Sequence, residues 1–386
     1  MTQLIQNNKT DFIESLIGQL DLKQLNDIDS VIETIKERTI FIYGAGGFGR
    51  EMYNLMSKYG IKPLAFLDKA ARENERLFDI PVYCADDQHI DNTIKREAVV
   101  LLSITTKTYI IQSIKKFIEN CGFSNIVDSQ SIRAQLVYPD DCDDKIIGPD
   151  YFLDNKDKIN RIANIWSDKE SLALYKSNLI AHITRDYDSY MENSRENQYF
   201  PQNIMMNKGY KRFVDCGGYV GDTLEELVRT HDDNEAIASF EPDSINYAKL
   251  SNFADKLKSR TRQIILFPCA VSNKAETLTF CEGIGSGQIS SSGDSFAKCV
   301  SLDDSIMGFS PTFIKMDVEG AELNALEGAK NVIYKSRPDL AICVYHNINH
   351  LWDIPSLLDS WNIDYHFYLR SYSSCTMETV LYATCN

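Results

Sequence analysis

Apolar and polar positions divide the chain into two stretches where strands alternate with helices, separated by a helical stretch. Apolar residues first recur at helical spacing, at Leu16, Ile17 and Leu20 and then at Val31, Ile32 and Ile35, so residues 1–37 are expected to be helical. TIFIYGAGGFG reads as a strand leading into a helix that begins near Arg50. PLAFLD is a second strand ending at Asp68, and IPVYC is a short third. EAVVLLSI, residues 97–104, is an unbroken apolar run, as expected of a strand covered on both faces. The helix YIIQSIKKFIENCG and the strand SNIVDS complete a unit spanning 38–130. This alternation predicts a small doubly wound parallel sheet.

Residues 131–198 change character: PDDCDDK reads as a surface loop, and the pattern from about 155 to 193 is helical, giving a loop and helical connector. The second unit, 199–386, opens with YFPQNIMMNKGYKR. RFVDCG, IASFEP and IILFPCAVS are its first three strands. ETLTF follows, and then SGQISSSGDS, whose glycines and serines predict an irregular loop. TFIKMDV, LAICVYH, YHFYLRSY and TVLYATC supply four more strands, with AELNALEGAKNVIYK and PSLLDSW as helices among them. No helix fits between the last two strands, which should form an antiparallel hairpin. The expected fold is α/β: two Rossmann-like doubly wound sheets joined by a helical connector.

Charge and cysteine content narrow the function. With 55 acidic and 40 basic residues the net charge is −15, which argues against wrapping nucleic acid or docking on anionic lipid. No apolar run reaches the length of a membrane span. The ten cysteines include no C-x-x-C pair and no zinc-type spacing with histidine, and several lie in apolar runs such as CAVS and AICVYH. They are expected to be buried free thiols in a reducing compartment. MTQLIQNNKTDF has neither the basic nor the apolar part of a secretory signal, so a cytoplasmic location is the default expectation.

Two glycine turns carry candidate chemistry. Gly44, Gly46 and Gly49 form G-x-G-x-x-G between a strand and a helix, with Asp68 ending the next strand. Such a turn admits a phosphate against its backbone, and the acid after the second strand can take a ribose hydroxyl. The same glycines also suit a bare tight turn. The second motif, FVDCGGYVGDT, places Asp215, Gly217, Gly218, Gly221, Asp222 and Thr223 at a strand-to-helix turn with no Arg or Lys to meet a diphosphate. Glu241 ends the following strand and is placed for ribose hydroxyls. Pro242 after it and Ala270 on the third strand complete the expected cofactor-binding set. An acidic turn suits a cationic cofactor, although Asp222 and Thr223 taken alone also read as helix caps.

The fourth strand ends in KMDVEGAELNALEGA. Asp317 should face the cleft, because ligands bind at the carboxyl ends of strands in open α/β sheets. Asp317 and Glu319 are candidate site residues, whereas Glu322 reads as a partner of a helix dipole. His346, after the fifth strand, is either a general base or a loop histidine that binds substrate or backbone. A divalent metal on Asp317 and Glu319 lacks an evident third ligand, so no metal is expected.

Five mainly parallel strands and a terminal hairpin outline a class I methyltransferase sheet. Residues 199–385 resemble the FkbM family of S-adenosylmethionine-dependent methyltransferases through YFP, FVDCGGYVGDT, FEPD, IKMDVEGAEL, VYHNINHLWDIP and FYLRSYS…ETVLYA, in the family's order. The pair Gly217-Gly218 departs from the commoner Gly-Ala and should add flexibility. The resemblance implies S-adenosylmethionine as cofactor and an O-methyltransferase acting on a hydroxyl, in many members that of a glycan sugar or polyketide. Asp317, Glu319 and His346 are then the candidate catalytic residues. IFIYGAGGFGREMYNLM with FLDK resembles the N-terminal nucleotide-sugar-binding domain of PglD-type sugar acyltransferases, which implies a nucleotide or nucleotide sugar in the first domain. Two other functions stay open. One is an NAD(P)-dependent oxidoreductase using the first glycine turn, for which no Tyr-x-x-x-Lys is visible. The other is a non-catalytic nucleotide-sugar-binding protein. The expected partners are a small-molecule or glycan substrate and a second copy in a homo-oligomer.

Overall fold

A computed structural model describes residues 11–20, 22, 28–104, 108–135, 147–187, 190, 197–281, 288–289 and 295–385. In the first unit the strands are β1 (Ile40–Tyr43), β2 (Ala65–Leu67), β3 (Arg76–Leu77), β4 (Ile80–Tyr83), β5 (Val99–Leu102) and β6 (Asn125–Asp128). They lie in the order β3-β4-β2-β1-β5-β6, parallel except for the β3–β4 pair. β1, β2 and β5 are buried along their whole length, as their unbroken apolar runs require. The order reverses between β1 and β5, so the turn after β1 lies at the switch point where such sheets bind ligands. β3 was not expected: it is two residues long, Arg76 in it is exposed, and it carries no apolar alternation to reveal it.

The second unit begins with β7 (Arg212–Cys216), β8 (Ala236–Phe240) and β9 (Gln263–Phe267). The expected third strand, IILFPCAVS, is broken. Pro268 lacks the N–H a ladder needs, and past it β10 (Ala270–Val271) leaves the large sheet. β10 joins β11 (Glu276–Cys281), β12 (Gln288–Ile289) and β13 (Ser295–Val300) in a separate sheet of order β10-β13-β11-β12. Most of the expected Gly/Ser loop lies outside the described residues, but Gln288–Ile289 within it pairs with β11 and Ser295 opens β13. The PDDCDDK loop also lies outside them.

The chain returns to the large sheet with β14 (Phe313–Met316), β15 (Asp339–Cys343), β16 (His366–Ser371) and β17 (Thr379–Thr384). The seven-stranded order is β16-β17-β15-β14-β7-β8-β9, with β17 antiparallel to both its neighbours and every other pair parallel. The expected terminal hairpin is present. The carboxyl ends of β7, β8, β14 and β15 therefore lie side by side and form the platform of the site.

Connector helices Pro149–Asp154, Lys156–Ile162 and Lys169–Thr184 pack on this second sheet. Phe152, Ile159, Tyr175 and Leu179 share a core with Trp352 and Leu369. Ser167 N donates to Phe367 O (2.9 Å), and buried Arg370 reaches Asp168 Oδ2 (2.8 Å). The N-terminal segment divides. Ile13 and Leu16 of the helix Phe12–Ile17 join the core of the second sheet, and Ile13 N donates to Asn160 Oδ1 (3.0 Å). Ile32 and Ile35 of the helix Ile28–Ile35 join the core of the first. The two units meet at Gln130, which donates to Ile104 O (3.2 Å) and accepts from Ser373 Oγ (2.9 Å). Among the described residues no helix is long and apolar enough to cross a membrane, and Cys84, Cys121, Cys216, Cys269, Cys299, Cys343, Cys375 and Cys385 are free thiols.

Candidate functional site

The second glycine turn packs against its neighbours with no room for side chains. Gly217 has φ +88°, and a Cβ there would stand 1.9 Å from Asp317 O. A Cβ on Gly218 would stand 2.2 Å from Ser239 Oγ. The N–H groups of both glycines donate to Phe240 O (3.0 and 2.9 Å), which ties the turn to the end of β8. Gly221, at φ +93°, caps the helix Asp222–Thr230, whose Asp222 is exposed and Thr223 buried. Glu241 accepts from Tyr219 N (2.8 Å) and Asp243 N (2.9 Å), and burial, against those two bonds, pushes its carboxyl up to about 7. Each of its oxygens keeps a further lone pair. Pro242 lies beside it, half-buried. Ala270, placed by sequence on the third strand of this sheet, belongs instead to the small sheet, for the reason given at Pro268.

Asp215 is engaged within the protein. It is fully buried, with Lys315 Nζ 3.1 Å away and Ser239 Oγ donating to it (3.2 Å). Lys315, itself buried, also donates to Gly217 O (2.6 Å). Burial alone would favour the neutral amine, but Asp215 and then Asp317 outweigh it and hold the ammonium. A lysine therefore does enter the turn, from β14, and its charge is matched by Asp215. A charged residue inside the apolar run TFIKM was the signal that it needed a buried partner.

Asp317, Glu319 and His346 come together, and so does Glu322, which the sequence reading had set aside as a dipole partner. His346 Nδ1 lies 2.9 Å from Glu322 Oε1, while Nε2 lies 3.5 Å from Asp317 Oδ1 and 3.4 Å from Glu319 Oε2. Glu322 is fully buried: it accepts from Val318 N (3.0 Å), and its other oxygen lies 3.2 Å from His350 Nδ1. Burial alone would raise its pKa, but His346 and His350 hold the carboxyl well below the usual carboxylate range. For His346, burial favours the neutral ring, but Glu322 and Glu319, with Asp317 behind them, raise its pKa to about 10. The surrounding carboxylates thus favour the protonated ring. Asp317, Glu322 and His346 have donor atoms within 4.8 Å of one another, a set that could hold a cation. The His346 ring lies between Glu322 on its Nδ1 side and Asp317 and Glu319 on its Nε2 side.

Four further residues bear on Asp317. Tyr199 donates its hydroxyl to Asp317 Oδ2 (2.8 Å), and Tyr345 donates to Oδ1 (3.4 Å). Gln198 Nε2 donates to Tyr199 OH (3.0 Å) and to Glu378 Oε2 (2.7 Å). Tyr199 and Glu378 stand in the segments YFP and ETVLYA, but no local pattern shows that both approach Asp317.

The first glycine turn is also assembled. Gly44 has φ +106°, and a Cβ there would meet Ser103 O at 2.5 Å; one on Gly49 would meet Gly44 O at 1.8 Å. A Cβ on Gly46 would meet nothing within 4 Å, so this glycine leaves open space in front of the helix Gly47–Lys58. Asp68 accepts from Ala45 N (2.9 Å) and Ala70 N (2.8 Å), which fixes the turn.

Strand order and site together define the second unit as a methyltransferase-type sheet. Residues 215–367 match the family model described as the methyltransferase FkbM domain, and residues 39–108 match that of the PglD N-terminal domain. The structure of methyltransferase FkbM from Methylobacillus flagellatus KT is similar over 96% of this chain and 96% of that one, with TM-score 0.63 and 22% identity, a likeness of fold. A methyltransferase from Geobacter sulfurreducens is 14% identical over 67% of this chain and 96% of that one, and its TM-score of 0.28 carries no argument. No curated protein matches the chain. The family match supports a methyltransferase.

Proposed function

We propose that the second unit is an S-adenosylmethionine-dependent O-methyltransferase whose acceptor is a hydroxyl of a sugar or glycan precursor. The observation that carries the reading is Glu241, fixed against the glycine turn at the end of β8 with lone pairs for two ribose hydroxyls. The donor set fits a cationic cofactor: Asp222 is exposed, and the ammonium of Lys315 is already paired with Asp215. When bound, such a cofactor supplies an electrophilic methyl group. Asp317 is proposed to lie beside the sulfonium, and Glu319 and His346 on the acceptor side, where the imidazolium offers a fixed positive charge. The sugar as acceptor rests on the resemblance to the FkbM family. Free thiols fit a reducing compartment, and we place the reaction in the cytoplasm.

A second ligand is proposed for the first unit, a nucleotide or nucleotide sugar, on the open space at Gly46 and the match to the PglD N-terminal domain. Thermal shifts of the full chain with S-adenosylhomocysteine, NAD and UDP-sugars separate the readings, because a specific ligand stabilises the folded state. Stabilisation by S-adenosylhomocysteine, followed by transfer of labelled methyl to a sugar, is the expected result. Stabilisation by NAD alone would replace methyl transfer with an oxidoreductase.

A further inference from the structure

We propose that the methyl acceptor is the sugar of a nucleoside diphosphate sugar, its diphosphate held at the first glycine turn and its sugar at the carboxylates beyond β14. This rests on the methyl-transfer reading and names its acceptor. The two sheets touch at their ligand-binding edges. In the first, Tyr43, Leu102 and Asp128 end β1, β5 and β6 level with one another. Gly44, Ser103 and Ser129 follow in one row, with the Ser103 and Ser129 hydroxyls 2.9 Å apart. Gln130 comes next, buried, and accepts from Ser373 Oγ (2.9 Å). In the second sheet β15 and β16 both run antiparallel to β17 and so end on the same edge. The turn from Tyr372 to Glu378 therefore rises from the edge that carries Asp317 and His346. Cys375, Thr376 and Glu378 in it adopt left-handed φ of 58°, 63° and 53°, which persist only where the surroundings impose them. The Gln130–Ser373 bond thus joins the carboxyl edge of one sheet to that of the other, and those are the edges where open α/β sheets bind ligands.

Both sites lie close to that bond. β1 is two strand spacings from β6, about 10 Å, so the glycine turn stands about that far from the rim. On the other side, three successive contacts of 2.7, 3.0 and 2.8 Å lead from Glu378 Oε2 through Gln198 and Tyr199 to Asp317 Oδ2. Charge divides across the rim as it does along such a ligand. On the first side is the N-terminus of the helix Gly47–Lys58, behind the open space at Gly46, which suits a phosphate. Arg133 is there too, its guanidinium 5.4 Å from the Phe48 ring and its Nε 3.3 Å from exposed Glu51, and its charge acts on Glu378 as well. On the second side Asp317 and Glu319 repel a diphosphate but can accept from sugar hydroxyls. The ligand is therefore oriented, with its anionic centre at the first edge and its sugar towards the second. A free sugar lacks the half that the first edge holds, and holding that half places the hydroxyl for attack. In the step, the sugar oxygen forms the C–O bond to the methyl carbon and its proton passes to water. The C–S bond breaks with its electron pair left on sulfur, so the sulfonium becomes the neutral thioether of S-adenosylhomocysteine.

Gly46 allows variants that do not strain the fold, because its φ is −78° and a Cβ there would meet nothing within 4 Å. Gly46→Ala and Gly46→Val put carbon into the space proposed for the diphosphate. The full-length protein is given S-adenosylmethionine with a labelled methyl and, in turn, UDP-glucose, UDP-N-acetylglucosamine, dTDP-glucose and GDP-mannose, each beside its free sugar. Label should enter a nucleotide sugar and stay with the sugar after the diphosphate is hydrolysed. Its kcat/KM should exceed that of the free sugar by roughly 10²-fold or more. Gly46→Val should lower that kcat/KM by roughly tenfold or more, and Gly46→Ala by less, while calorimetry finds S-adenosylhomocysteine affinity unchanged in both. Equal labelling of the free sugar, or a Gly46→Val enzyme as fast as wild type, overturns the proposal. So does absence of label from the whole panel in a chain that binds S-adenosylhomocysteine, including the case where a nucleotide sugar binds the first turn as a separate effector. Calorimetry separates the two levels: if the wild-type chain does not bind S-adenosylhomocysteine, the methyl-transfer reading itself fails, and the acceptor with it.

Discussion

Gly218→Ala isolates a steric constraint in the second glycine turn. Gly218 is not among the glycines at positive φ, so alanine meets no backbone penalty there and the effect is one of contact alone. The new Cβ would stand 2.2 Å from Ser239 Oγ and 3.0 Å from Leu250 Cδ2, and both residues are fully buried. If Ser239 rotates away, Asp215 loses a hydrogen bond inside the protein, worth about 1–3 kcal/mol. Crowding against Leu250 adds about 1–3 kcal/mol of overpacking. Taken together, a loss of about 2–6 kcal/mol is expected, or a fall in Tm of about 4–24 °C at the scale for a domain of this size. The assay is calorimetric unfolding of the single variants Gly218→Ala and Ser239→Ala and of the double. Because Ser239→Ala removes the closest atom, the double should be more stable than the sum of the singles predicts, by about 1 kcal/mol or more. A Gly218→Ala protein within about 0.5 kcal/mol of wild type, or strict additivity, would refute the steric account. The sequence-based expectation was that this second glycine adds flexibility; the contacts give it a packing role instead.

Glu241→Ala should weaken S-adenosylmethionine binding by about 1–3 kcal/mol in calorimetry, as for a lost hydrogen bond to a charged group. If the ionised carboxylate takes the ribose, wild-type affinity should fall by up to about tenfold per unit as pH drops below its raised pKa of about 7, and Glu241→Gln should flatten that fall. Lys315→Met strands the buried Asp215 carboxylate and should cost about 3–5 kcal/mol in denaturant unfolding, most of it recovered by adding Asp215→Asn. His346 has its pKa raised from 6.5 to about 10, so its stabilising effect is complete below 6.5 and is lost as pH rises through 10. His346→Gln should therefore be less stable than wild type at pH 7 and lose less stability between pH 7 and 10; an unchanged slope would show that the ring does not titrate there.

How much was legible in the sequence depended on the range of the interactions. Gly49 is required by its contact with Gly44 O inside one strand–turn–helix unit, which local pattern shows, whereas Gly44 and Gly217 press on Ser103 O and Asp317 O from neighbouring strands and were legible only as members of glycine motifs. The apolar runs of β5 and β7 likewise state their own burial. Glu322 was misread because its partners His346 and His350 arrive on the next strand and helix, across the β14–β15 pairing, and no local spacing encodes that register. Read within its own segment, an acid in a first helical turn has a sufficient explanation, and only its complete burial rules out solvent as its partner. The same holds for Glu378, whose position depends on a strained turn rather than on a strand pattern. The early end of the third strand at Pro268 was readable, because a proline inside an apolar run marks a break.

The matched segment 215–367 does not contain all that shapes the site. Tyr199 and Gln198 precede it and Glu378 follows it, yet they are the groups that fix one oxygen of Asp317 and approach it with a second carboxylate. Their support reaches further. The turn that carries Glu378 bonds through Ser373 to Gln130, whose amide also holds Ile104 beside the first glycine turn, and the charge of Arg133 in the first unit lowers the Glu378 carboxyl slightly. Gly44 packs on that same segment, with Ser103 O and Ile104 Cγ2 its nearest contacts. The rim of the first unit's glycine turn and the carboxylate cluster of the second are thus joined through one buried glutamine and one strained turn. Residues that tune methyl transfer without touching the cofactor are accordingly to be sought at Gln130, Arg133 and Ser373 as well as within the methyltransferase sheet.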